Sequence, residues 1–109
     1  MSVFAKRMRE ARLRAGLSQE KLGVLAGIDE MSSSARMNQY ERGKHVPDFS
    51  LVGRIARVLD VPECYLYCSD DDMAAFLVQL HRVPHKQKAE AVKAVGQLLG
   101  ELSQLNSSN

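Results

Sequence analysis

Two cysteines among 109 residues are too few to staple the chain, and in a reducing compartment Cys64 and Cys68 would stay free thiols. No apolar run approaches the roughly 18 residues that suggest a membrane span, and the stretch from Met1 to Arg7 lacks the apolar core of a signal peptide. The expectation is a cytoplasmic protein with no membrane partner. No segment alternates apolar and polar residues as a strand does, and no internal repeat is visible. There is no glycine-rich phosphate loop and no nucleophile elbow, and a chain this small leaves little room for a cleft beside its core. An enzyme is therefore disfavoured, and no cofactor is expected.

The composition is that of a globular protein, 45% hydrophobic and 26% charged. The net charge of +2 conceals an uneven distribution. Residues 1 to 57 carry eleven Lys/Arg against six Asp/Glu, a local excess of +5. Residues 58 to 72 carry five acids and no base, and the remainder holds four bases against two acids. A basic first half suits a polyanionic partner, because Lys and Arg contacts to phosphate supply most nonspecific nucleic-acid affinity. A solvated basic face would look the same by composition.

Glycine and proline punctuate a series of helical patterns. Val3 to Ala15 places Phe4, Met8, Ala11 and Ala15 at helical spacing, and Gly16 stops it. Ser18 caps a short second helix with Leu22, Leu25 and Ala26 inside, ended by Gly27 and Ile28. A polar stretch, Asp29 to Ser34, leads to a third helix over Ala35 to Arg42, anchored by Met37 and Tyr40 and closed by Gly43. Leu51, Val52, Ile55, Ala56 and Leu59 mark a fourth helix, and Pro62 opens a short fifth at Glu63 to Tyr67. Ser69 or Asp70 caps a further helix with Met73, Phe76, Leu77 and Leu80 as its apolar face. After Pro84, Lys86 to about Leu105 forms the last, and residues 106 to 109 fray. Its stripe of Val92, Val95, Leu99 and Leu102 is broad for a terminal helix, and predicts packing on the Met73 to Leu80 helix, on a second copy of the chain, or on both, with pairing of two copies the preferred reading.

The series Leu17-Ser18-Gln19-Glu20-Lys21-Leu22, Gly27-Ile28, Asn38-Gln39-Tyr40-Glu41-Arg42-Gly43-Lys44 and Pro47 resembles the helix-turn-helix family of phage repressors and Cro proteins, the XRE family. The likeness extends through Leu66. It implies an all-α fold, with a five-helix DNA-binding domain over 1–68 and a two-helix extension over 69–109. It also implies sequence-specific binding of double-stranded DNA. In such domains the second helix crosses the phosphate backbone while the third offers its N-terminal residues to base edges in the major groove. By position, the resemblance assigns base contact to Ser34, Ala35, Arg36, Asn38 and Gln39. The chemistry agrees: Arg grips guanine, Asn or Gln grips adenine, and an alanine methyl touches that of thymine. Backbone contact falls to Ser18, Gln19, Arg42 and Lys44, and Arg12 and Glu41 match a buried structural salt bridge.

One departure stands out. Gly27 to Glu41 spans fourteen positions where the family pattern needs about ten, which implies an enlarged turn over residues 28 to 34. There, Ile28 or Met31 would fill the apolar pinning position, and Ser32, Ser33 or Ser34 would cap the third helix. Cys64-x3-Cys68-x12-His81-x3-His85 fits the written spacing of a zinc finger. However, Tyr65 to Tyr67 continues a helix where a finger needs a hairpin, and Pro84 breaks the helix that should carry both histidines, so no metal is expected. The reading is a dimeric regulator, more often a repressor, on a pseudo-palindromic operator. The alternative is an antitoxin or adaptor that holds a protein partner through residues 69–109.

Overall fold

The computed structural model describes residues 2–107, and among them every regular element is helical. The order is α1 (Val3–Arg14), α2 (Gln19–Leu25), α3 (Glu30–Glu41), α4 (Phe49–Leu59), a 3₁₀ helix (Glu63–Tyr67), α5 (Asp71–His81) and α6 (His85–Ser107). Each of the first five α-helices starts where a side-chain oxygen can take an orphan amide. Ser2, Ser18, Asp29, Asp48 and Asp70 accept from Ala5, Lys21, Met31, Leu51 and Met73 at 2.8–3.1 Å. Such caps contribute about 1 kcal/mol each.

The core gathers Met8 of α1, Leu22 of α2, Met37 of α3, Val52 and Ile55 of α4, and Leu66 of the 3₁₀ helix, all almost fully excluded from solvent. α4 ends where Asp60 takes a left-handed conformation (φ 54°), turning the chain into Val61 and the 3₁₀ helix. Pro62 stands at the cap position of that segment, one residue before its first turn.

Two expectations change. The enlarged turn does not exist: Asp29 caps α3 directly, and residues 30 to 34 are its opening turn. The aspartate carboxylate and a glutamate in the first turn suit the positive end of a helix, so a stretch rich in serine folds as helix. None of the serines is the cap. Ile28 is buried and pins the turn, whereas Met31 is 94% exposed.

The second change concerns α5. Ala74 is its buried residue, with Leu77 and Val78 partly covered, while Met73 and Phe76 stay substantially exposed. Ala74 faces the 3₁₀ helix, on which α5 packs, and the larger apolar residues of α5 lie to the other side. α6 packs on α5 with the side of Lys88, Ala91 and Val95. Its 23 residues span about 35 Å at the usual helical rise, and the molecule is correspondingly long, 58 × 32 × 23 Å. The expected fraying at 106–109 falls partly outside the described residues; α6 continues to Ser107.

Candidate nucleic-acid interface

At Gly23 the backbone of α2 rests directly on side chains of α3. A β-carbon on Gly23 would overlap the Ser33 hydroxyl and come within 2.9 Å of Met37 Cγ. Ser33 is fully buried and donates its hydroxyl to the carbonyl of Glu20 at 2.8 Å. Across the turn, Gly27 takes φ +95°, which is open to glycine at little cost. Arg54 of α4 closes the end of α2 by donating Nε to the Ala26 carbonyl at 2.7 Å. The two helices are thereby fixed as a unit.

The other end of α3 is held by Arg12. Its Nε and Nη2 donate to the two oxygens of Glu41 at 2.6 and 3.0 Å, and Nη1 donates to the Leu17 carbonyl at 2.8 Å. The pair is well shielded, with side-chain exposures of 11% and 4%. Arg9 approaches the same carboxylate at 3.9 Å.

Between these anchors α3 turns Ser33, Met37, Tyr40 and Glu41 inward. Ser34, Ala35, Arg36 and Gln39 are exposed, and Asn38 is half-buried beside the start of α2. There Gln19 donates Nε2 to Asn38 Oδ1 at 3.4 Å, a long hydrogen bond that brings a backbone-contact candidate and a base-contact candidate together. It also orients the Asn38 amide, leaving its NH₂ to point elsewhere. Arg36 is drawn sideways: its guanidinium donates to Tyr40 Oη at 2.9 Å and lies 6.0 Å from that ring's centre. Arg42 and Lys44 follow α3, both exposed, and neither forms an ion pair among the described residues. Ser18 is exposed with its oxygen committed to the Lys21 amide.

Gly23 and Arg54 carry this arrangement but were not singled out in the sequence, and Ser33, offered there only as a cap, is its buried contact. Of the two residues offered as the apolar pin of the turn, Ile28 is buried and Met31 is exposed. Elsewhere, Cys68 Sγ lies against the Asp70 carbonyl and His81 pairs with Asp60 at 3.4 Å. Among the described residues no group of His, Cys, Asp and Glu is placed to hold a metal ion, and no helix is long and apolar enough to cross a membrane.

A family model described as a helix-turn-helix domain matches residues 3–65. A solved structure described as the crystal structure of transcriptional regulator BswR is similar to the chain, with 42% sequence identity and a TM-score of 0.79. The match covers 93% of this chain and 98% of that one, and so reaches past the family model into the C-terminal helices. No curated protein gives a match. With the model spanning α1 to the 3₁₀ helix, the same motif set and the α2–α3 unit in place, the chain belongs to the helix-turn-helix family of DNA-binding regulators.

Proposed function

We propose that the protein is a repressor that binds a pseudo-palindromic operator as a homodimer, with α3 in the major groove of each half-site. The observation that carries this reading is the outer face of α3, polar and exposed, clasped at Asn38 by Gln19 and followed by the unpaired cations Arg42 and Lys44. Asn38 and Gln39 read base edges, adenine being the natural partner of either amide, and Ala35 and Ser34 approach the same groove. The added opening turn brings Met31 to the leading end of the helix, where its side chain meets a thymine methyl. Arg36 contributes less, since it must leave Tyr40 to reach a base. Gln19, Ser18, Arg42 and Lys44 hold phosphates and set the register.

Dimerisation falls to α6. Val92, Leu99 and Leu102 are each more than half exposed, as are Leu98 and Leu105, and Val95 continues the stripe where α5 partly covers it. Met73 and Phe76 of α5 extend the apolar area. Two copies paired through this surface would set their α3 helices about one helical turn of DNA apart, roughly 34 Å. Occupancy of that site blocks transcription.

The test is selection of bound sequences from a random duplex pool with purified protein at physiological salt. Enrichment of a two-fold-symmetric site supports the reading and gives its half-site spacing. No enrichment by folded protein overturns it, and directs attention to a protein partner for residues 69–109.

A further inference from the structure

Tyr65 is 1% exposed, and its hydroxyl is the buried side-chain polar atom with no hydrogen-bond partner among the described residues. A hydroxyl withdrawn from solvent without a partner is a cost that a ligand able to accept from it would relieve. The ring is held under Arg7, whose guanidinium carbon lies 5.8 Å from its centre. Two depressions adjoin it at the joint where α5 meets α1 and the 3₁₀ helix. The one on the Arg7 side holds Glu10 and Asp71, and Arg7 already binds both carboxylates at 3.2 and 2.8 Å. The other has a volume of about 110 Å³ and no acidic side chain in its wall.

That second cavity has a divided lining. Ala11, Leu59, Val61 and Val78 make it apolar, and Arg14 and Arg82 supply positive charge. Arg82 is engaged with Asp60, its Nε donating to the backbone carbonyl at 3.1 Å and lying 3.4 Å from the carboxylate, so its charge is already answered and Arg14 is the cation left to a ligand. Arg14 forms no ion pair among the described residues. Burial pushes the Tyr65 phenol above its ordinary ionisation range against the pull of Arg14, so at neutral pH the hydroxyl keeps its proton to donate.

These features select a ligand. An inorganic anion would satisfy the arginine and leave the aliphatic wall bare, whereas a hydrocarbon would leave the hydroxyl unmet. The volume is somewhat below the roughly 150 Å³ of a dry cavity that admits benzene. We propose that this cavity binds a small organic carboxylate, its anionic end between the Tyr65 hydroxyl and Arg14 and its apolar body against Ala11, Val61 and Val78. A ligand there touches α1, the end of α4, the 3₁₀ helix and α5 at once, and so ties the C-terminal helices to the rest of the molecule. Its binding does not depend on the DNA reading.

The probes are butyrate and benzoate at millimolar concentration, with benzyl alcohol as the uncharged control and ionic strength matched by sodium chloride. Binding to the full chain is followed through backbone amide shifts by NMR. The expected result is a saturable shift at Ala11, Val61 and Val78 with at least one carboxylate and none with the alcohol. Arg14→Gln should weaken binding about tenfold, as for loss of a hydrogen bond to a charged group, and Tyr65→Phe should weaken it severalfold. Both variants should fold, since Arg14 is exposed and the Tyr65 oxygen has no partner. The proposal is overturned by the absence of a saturable shift with either carboxylate, by equal binding of the alcohol, or by unchanged affinity in Arg14→Gln.

Discussion

The hydroxyl of Ser33 occupies the space that a side chain on Gly23 would need, so α2 and α3 have no room for a β-carbon between them at this point. Alanine normally improves a helix over glycine by about 1 kcal/mol. Here overpacking costs about 1–3 kcal/mol, and Ser33 cannot yield without losing its bond to the Glu20 carbonyl. Gly23→Ala is expected to lower the urea midpoint, and Ser33→Ala in the same chain to restore part of it.

Arg12 and Glu41 are each shielded and answer each other's charge through two hydrogen bonds. Removing one partner strands the other, at a cost of about 3–5 kcal/mol. Glu41→Gln and Arg12→Met should each be strongly destabilising in denaturant titrations. Arg12→Met combined with Glu41→Leu should cost far less than the sum of the two.

Much of this was readable in the residues. Ser18, Gly27 and the Glu41-Arg42-Gly43 ending mark helix boundaries through caps and turns, which act locally. The opening of α3 was not, because three consecutive serines favour turns and caps by propensity, while burial of Ser33 against Gly23 is a tertiary effect that overrides them. The inward side of α5 was also misjudged. Periodicity chose Met73 and Phe76 for their size, but the side of α5 packed on the 3₁₀ helix carries Ala74 instead. Arg54 serves the Ala26 carbonyl across 28 positions of sequence, and no local pattern announces such a bond.

The Gln19–Asn38 hydrogen bond makes a prediction about specificity. Asn38→Ala should cost about 1–3 kcal/mol on the selected site and relax preference at one base position, whereas Lys44→Ala should weaken all sequences alike. Gln19→Ala should relax the same position as Asn38→Ala, because it releases the amide that reads it. Competition binding against single base-pair replacements measures all three. Different positions for Gln19 and Asn38 would separate their roles.

Glutamates at Leu99 and Leu102 place charges in the exposed stripe of α6 without touching the buried core. The double variant should sediment as a monomer while keeping its helical circular dichroism. Its affinity for a full operator should fall on the order of 10²-fold or more, since the second half-site is no longer bound intramolecularly.

Arg7 and Lys6 hold the Asp71 carboxyl below its ordinary range, the hydrogen bond from Arg7 first. Its contribution to stability is therefore present above about pH 4, the unfolded value, and lost as the pH falls through the lower native value. Asp71→Asn should remove that contribution. Acid unfolding curves should then show wild type and variant apart at pH 6 and converging at low pH.

The opening turn of α3 bears on how such a helix can change length. Four added residues advance a helix by about 400°, so Ser33 returns to the side already held by Met37. Two added residues would rotate it by about 200° and swing the anchors toward solvent. Insertions and deletions ahead of Met37 are thus filtered by phase. Lengths of three or four pass with the packing intact, so the exposed outer face of this helix grows in jumps of about one turn rather than residue by residue.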